Sequence, residues 1–335
     1  MTYRTRETPR ARAVRVRAPG KVNLSLAVGR RQDDGYHALA TVFQAVSLHE
    51  DLVATDADEL TVEVRGAQAD QVPLGPDNLA LRAARLLADA TGVRAGAHLI
   101  IHKSVPVAGG MAGGSADAAA ALLACDALWE TGLSRGQLAE LAAALGSDVP
   151  FALHGHTALG RGRGHLLSPL LTKGEYHWTF GLRAAGLSTA SVYDAYDQVV
   201  GALAPEEPDV DPELVRALRA GDPVALGAAL SNDLQPATLE LAPELAETLA
   251  VAEDAGALGV VVSGSGPTVA ALARDRRHAQ AIGRALLDAG VVDGVLHAVG
   301  PVPGARLLST TEGTGPTPPG GAQAFGGPKP VPDQD

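Results

Sequence analysis

The chain has 335 residues, 46% hydrophobic and 19% charged, with 27 Lys and Arg against 38 Asp and Glu and a net charge of −11. That length allows about two domains with sizeable cores, and the acidic balance argues against general nucleic-acid binding, which depends on neutralising phosphates with Lys and Arg. The single cysteine, Cys125, leaves no disulfide framework and suits a reducing cytoplasm, and no apolar run reaches membrane-span length, so the expected partners are small molecules, with no membrane and no nucleic acid.

In chain order, the first residues carry Arg4, Arg6 and Arg10, but Glu7, Pro9 and the low Ser content fit a transit peptide poorly, and residues 1–13 read as a flexible tail. Val14-Arg15-Val16-Arg17-Ala18 alternates as a half-exposed strand, with Val42 to Val46 and Leu60 to Val64 as further candidates. A helix is predicted over 78–90 and a strand over His98-Leu99-Ile100-Ile101-His102. Next comes Pro106-Val107-Ala108-Gly109-Gly110-Met111-Ala112-Gly113-Gly114-Ser115-Ala116-Asp117, running into alanines and leucines of high helix propensity. Glycine admits positive φ and close approach of N–H groups to a ligand, and the helix start that follows favours an anion. The same residues also suit a plain helix cap packed against a sheet. No Gly-Lys-Ser/Thr closes the loop, which excludes a P-loop, and Ala108-x-Gly110-x-x-Gly113 lacks the first glycine of a dinucleotide fingerprint.

Helices are expected over 115–130 and over 134–145, the second capped by Ser134 and stopped by Gly146. A boundary falls near 170–174, followed by a strand over 176–182, helices over 211–220, 223–230 and 243–255, and strands over 259–262 and 269–273 around Ser263-Gly264-Ser265-Gly266-Pro267-Thr268. A helix over 278–289 and a strand over 294–299 complete the series. Residues 304–335, rich in Gly and Pro, read as a disordered tail. Strands and helices mix without strict alternation, so an α+β pair of domains is expected, over 14–170 and 171–303. His154-Gly155-His156 and His165 have no nearby Cys or acidic ligands and read as core or surface histidines rather than a metal site.

Four segments, Ala18-Pro19-Gly20-Lys21-Val22-Asn23-Leu24, the glycine loop, Gly146-Ser147-Asp148-Val149-Pro150-Phe151 and Ser263 to Thr268, resemble the GHMP kinase superfamily in content and order. Two more, Asp33-Asp34-Gly35-Tyr36-His37 and Asn232-Asp233-Leu234-Gln235-Pro236, resemble the branch acting on a cytidine-diphosphate methylerythritol. The likeness spans residues 14–303. It implies an N-terminal domain like domain 2 of ribosomal protein S5, a ferredoxin-like C-terminal domain, a site in the cleft between them, and transfer of the ATP γ-phosphate to a 2-hydroxyl with Mg²⁺. A monomer or homodimer is expected. Kinases of homoserine, mevalonate or sugars are the alternative within the superfamily, and a dinucleotide-binding oxidoreductase is the alternative outside it, one that leaves Lys21 and Asp148 without roles.

Phosphoryl transfer needs an aligned hydroxyl, a proton acceptor and charge stabilisation. The resemblance gives Asp148 as base, although an isolated Asp after Gly146-Ser147 reads as a turn or helix cap. It sets Lys21 beside Asp148, where an ammonium keeps a carboxylate ionised, with Asn23 two residues on along the same strand face. For ATP it implies Asn78 and Leu79 at the adenine with Lys103 nearby, and Pro106, Ala108, Gly109, Gly110, Ala112, Gly113, Gly114 and Ser115 around the phosphates. Ala108 and Ala112 stand where the family usually has glycine, and Ser115 is the candidate ligand for Mg²⁺. Tyr36 and Tyr193 would stack on cytosine, His37 would read its edge, and Thr189 would lie near the diphosphate or the erythritol arm. Gly264 and Gly266 take a supporting role.

Overall fold

The computed structural model describes residues 12–200 and 203–312. Strands β1 (Arg12–Arg31) and β2 (His37–Ala57) make a long antiparallel hairpin, followed by β3 (Leu60–Arg65), α1 (Leu79–Thr91) and β4 (Gly96–His102). Helices α2 (Gly113–Trp129), α3 (Arg135–Leu145) and α4 (Val149–His154) precede β5 (Thr157–Arg161) and β6 (Leu166–Pro169). The second half comprises β7 (Tyr176–Leu182), α5 (Thr189–Val199), α6 (Pro212–Ala220), α7 (Pro223–Ala228), β8 (Ser231–Asn232), α8 (Gln235–Leu241), α9 (Leu245–Asp254), β9 (Gly259–Val262), β10 (Val269–Ala273), α10 (Arg276–Asp288), β11 (Gly294–Gly300) and β12 (Arg306–Glu312).

The first sheet runs β12-β1-β2-β4-β3, with β5 on β2, β6 on β5 and β8 beside β1. Val14, Val16, Leu52, Leu99 and Ile101 on one face meet α1 and α2. Helix α2 is apolar on nearly all sides, its residues Ala118 to Leu122 fully buried, because it lies between sheet and helices, where small side chains permit close approach. Helix α3 begins in a capping box in which Ser134 and Gln137 satisfy each other's backbone N–H groups. The second sheet, β11-β7-β10-β9, is antiparallel throughout. With α9 before β9 and α10 between β10 and β11, its fourth-first-third-second strand order is ferredoxin-like, so the α+β expectation and the two-domain fold hold.

The β1–β2 hairpin crosses from one core to the other. Its near half packs under α2, while Val22, Leu24, Ala40 and Val42 join Tyr176, Trp178 and Phe180 in the second core. Between these halves the pairing slips at Pro19/Gly20 and again between Asn23 and Ser25. A proline has no N–H for the ladder and is tolerated at such an irregularity. Lys21 and Asn23 therefore lie inside one continuous strand that runs well past the expected Val14–Ala18.

Two expected boundaries shift. Residues 306–312 form β12, which pairs with β1 from Arg17↔Arg306 to Arg12↔Glu312. They belong to the first sheet and not to a disordered tail over 304–335, and β1 likewise begins at Arg12 inside the expected N-terminal tail. The cause is local: residues 306–312 contain neither Gly nor Pro, and their backbone supplies the outer partner that β1 needs. The remaining tail expectations, 1–11 and 313–335, lie outside the described residues. Helices α4, α5 and α8 were not expected, and His154 closes α4.

Candidate active site

A cavity of about 700 Å³ lies where the hairpin, the glycine loop and the second domain meet. Lys21 and Asn23 project into it from β1, and Asp148 faces them from the start of α4. The Lys21 Nζ donates to Asn23 Oδ1 at 2.5 Å and to the Gly110 carbonyl at 2.6 Å, and lies 3.9 Å from Asp148 Oδ2. Burial pushes the Lys21 ammonium below its ordinary pKa, and the Asp148 carboxylate opposes that fall. Asp148 stands at the N-cap position but makes no capping bond, so its carboxylate remains available toward the cavity, with the side chain 32% exposed. Asn23 Nδ2 donates to Thr41 Oγ1, which donates to the Ser25 carbonyl. Asn23 is thereby held in one orientation beside the ammonium.

The glycine loop lines the same cavity through Pro106, Ala108, Gly109, Gly110 and Ala112, and α2 continues it with Gly113, Gly114 and Ser115. Ala108, Gly110 and Ala112 have φ of 53°, 72° and 60°, so both alanines hold the left-handed conformation that glycine adopts freely. At Gly110 no side chain fits, because a Cβ would lie 2.0 Å from the Ser263 carbonyl oxygen. No side chain caps α2, which leaves its first N–H groups for a ligand. Ser115 lies within that first turn and does not cap it, contrary to the simplest reading of its position.

Two expected nucleotide contacts fall elsewhere. Asn78 caps α1, accepting from Ala80 and Leu81 N–H and donating to the Pro73 carbonyl, so its polar atoms are spent locally and only Leu79 reaches the cavity. Lys103 is buried away from the cavity between Glu50 Oε1 at 2.6 Å and Asp117 Oδ2 at 2.9 Å. Glu50 also accepts from Ser104 and Val105 N–H. Burial lowers the Lys103 pKa, but the two carboxylates outweigh it and the net shift is upward. Glu50 itself is pushed up to about 7 by burial and by Asp117. This triad clasps both ends of the phosphate loop from beneath.

At the far end stand Tyr36, His37, Thr189 and Tyr193. The hairpin tip is shaped by Gly35 at φ 83° and by Asp34, which accepts from Tyr36 N–H. His37 stacks on Tyr193 with centroids 4.9 Å apart, so one face of Tyr193 is already occupied, while Tyr36 is 54% exposed beneath the Arg163 guanidinium at 4.7 Å. Thr189 Oγ1 and Ser265 Oγ are 3.0 Å apart and join α5 to the second glycine segment. Gly264 lines the cavity, where a Cβ would lie 3.1 Å from Lys21 Nζ; Gly266 shapes the same turn at φ 79° without reaching the cavity.

Sequence reasoning did not single out Arg163, Arg31 or Asp197, nor the way Asn232 works. Asn232 Nδ2 donates to the Val262 and Gly264 carbonyls, Gln235 accepts from Val262 N–H, and Asp233 accepts from Val28 N–H. The Asn-Asp-Leu-Gln segment thus ties the second glycine turn to β1. Among the described residues no group of three His, Cys, Asp or Glu side chains could hold a metal ion, and no helix is long and apolar enough to cross a membrane.

Residues 78–156 match the GHMP kinases N terminal domain and residues 214–292 the GHMP kinases C terminal domain. The 4-diphosphocytidyl-2-C-methyl-D-erythritol kinase of Streptomyces avermitilis is 52% identical over 88% of this chain and 100% of its own length. That of Kineococcus radiotolerans is 58% identical over 79% of this chain and 83% of its own. A crystal structure of 4-(cytidine 5'-diphospho)-2C-methyl-D-erythritol kinase superposes with a TM-score of 0.70 at 33% identity, covering 85% of this chain and 98% of that one. Homoserine kinase from Cytophaga hutchinsonii, at 21% identity and TM-score 0.68 over 92% of this chain and 100% of its own, shares the fold.

Proposed function

The chain belongs to the GHMP kinases and, within them, to the 4-diphosphocytidyl-2-C-methyl-D-erythritol kinases; from that premise we propose how its cavity transfers the γ-phosphate of ATP to the substrate's 2-hydroxyl, a step toward isoprenoid precursors by the methylerythritol phosphate route. The observation that carries the proposal is an uncapped Asp148 beside a buried Lys21 that touches the phosphate loop, all within one cavity. ATP lies with its base toward Leu79 and its phosphates on the loop and the first turn of α2, where N–H groups and the helix dipole meet the anion. Asp148 accepts the proton of the 2-hydroxyl. Lys21 balances the charge that develops between nucleophile and phosphoryl oxygens, which its burial strengthens by excluding water. Asn23 fixes the ammonium and orients the attacking hydroxyl.

The donors present suit a magnesium ion held chiefly by the phosphates, with the Ser115 hydroxyl as its protein ligand, since the two carboxylates beneath the loop, Glu50 and Asp117, are taken by Lys103 and no group of three His, Cys, Asp or Glu stands together among the described residues. Such an ion supplies charge neutralisation on the phosphate oxygens. At the other end Tyr36 and Tyr193 flank the cytosine, and His37 reads its edge. Thr189 lies on the path of the diphosphate.

Two measurements test this. ADP release is expected with the cytidyl substrate and not with mevalonate, homoserine or galactose; turnover confined to one of the latter rejects the substrate assignment while keeping the fold. Asp148→Asn is expected to lower kcat about a thousandfold, within the span general bases contribute, and full turnover by that variant removes Asp148 as the base.

A further inference from the structure

His37 is read above as the group that recognises the cytosine edge, and the inference here rests on that reading. The imidazole is 4% exposed and wedged between two aromatic rings, stacked on Tyr193 and edge-on to Tyr196 at 6.0 Å. Tyr196 is itself fixed by donating to the Val28 carbonyl at 2.6 Å. The ring therefore has little rotational freedom, and its recognition depends on which nitrogen carries the proton. Nε2 lies 2.8 Å from Asp197 Oδ1. The other oxygen, Oδ2, takes the Arg31 Nε at 2.7 Å, and Arg31 also holds Asp194. Nδ1 has no protein partner among the described residues, is not sealed from solvent, and belongs to a ring that lines the cavity.

We propose that Asp197, oriented by Arg31, is a specificity-determining positioning residue that holds His37 in the tautomer whose Nδ1 accepts from the exocyclic amine of cytosine. An ionised carboxylate only accepts, so Nε2 must carry the hydrogen, and the neutral ring then offers a lone pair at Nδ1. Cytosine presents an N4 amine donor to that lone pair. Uracil presents its O4 acceptor at the same place and meets a second acceptor there. Asp197 does not touch substrate; it sets the polarity of the group that does. Arg31 contributes by holding the second carboxylate oxygen, so that the carboxylate cannot rotate away from the ring.

The test is the ratio of kcat/KM for the cytidine-diphosphate substrate to that for its uridine-diphosphate analogue, measured for the wild type, Asp197→Leu and His37→Ala. Asp197→Leu frees the ring to adopt the opposite tautomer, and the ratio is expected to fall at least about tenfold, the scale of one lost or mismatched buried hydrogen bond. The loss should appear mainly as a raised KM for the cytidyl substrate, with KM for ATP retained, which also reports a folded site. A merely structural role moves both KM values and leaves the ratio alone, and that result overturns the proposal. If His37→Ala changes the ratio and Asp197→Leu does not, the tautomer argument fails while the cytosine reading stands. If neither changes it, the cytosine reading of His37 fails as well.

Discussion

Two buried lysines stand on opposite sides of the phosphate loop, and they are built for different work. Lys21 has one distant carboxylate, at 3.9 Å, and otherwise donates to a neutral side chain and a backbone carbonyl. Its pKa is driven down. Lys103 is gripped by two carboxylates at 2.6 and 2.9 Å, and its pKa is driven up. Lys21 is thus an incompletely compensated charge, held in a place that costs folding free energy and open to a substrate that will complete its partners. Lys103 is fully compensated and faces nothing that reacts. Burial and proximity to the loop do not distinguish a catalytic cation from a structural one; the completeness of its neutralisation does.

The largest expected effects separate the two directly. Lys21→Met should lower kcat about a thousandfold, as loss of a preorganised charge does, yet hold or raise Tm, because an underpaired buried ammonium leaves the core. Lys103→Met should do the reverse. It strands Glu50 and Asp117 without their counter-ion, a change that costs about 3–5 kcal/mol, and calorimetry should find Tm lowered by roughly 10 °C, with kcat of the folded enzyme nearly kept. Equal losses of kcat in the two variants would erase the distinction.

The triad also has a signature in pH. Folded Glu50 keeps its proton up to about 7, whereas an ordinary glutamate releases it near 4.5. The folded state therefore binds more protons between those values, and the triad's contribution to stability falls as pH rises through that window. Asp117, raised by burial, acts in the same direction. Glu50→Gln should flatten this part of a Tm-against-pH curve. The smallest effect concerns the loop between the lysines: Ala108→Gly removes a left-handed alanine, and denaturant unfolding should show a gain of up to about 1 kcal/mol.

The local features of this arrangement were legible in the chain. The glycine loop, the helix behind it, the Ser134 cap and the Lys21–Asp148 pairing follow from residue types, short spacings and the likeness to a family. What escaped is what depends on distant residues coming together. Lys103 looked like a nucleotide contact because its partners lie 53 residues before and 14 after it, and nothing in Lys103-Ser104-Val105-Pro106 announces two carboxylates. Asp197 meets His37 across 160 residues, and only the assembled β1–β2 hairpin and α5 bring them together. Strand β12 was missed for a different reason, since seven residues free of Gly and Pro were averaged into a long segment dominated by them.

That last strand changes how the second domain is mounted. Because β12 returns to lie against β1, the polypeptide leaves the first sheet after β6, touches it again only through the two residues of β8, and closes it at β12. The ferredoxin-like unit is an insertion between two strands of its host, held like a drawer by both handles and not like a door by one hinge. Arg12 and Glu312 consequently face each other across one ladder. The described chain begins and ends at a single edge, far along the hairpin from the reacting groups, and a circular permutant joined there would keep the cavity's connections intact.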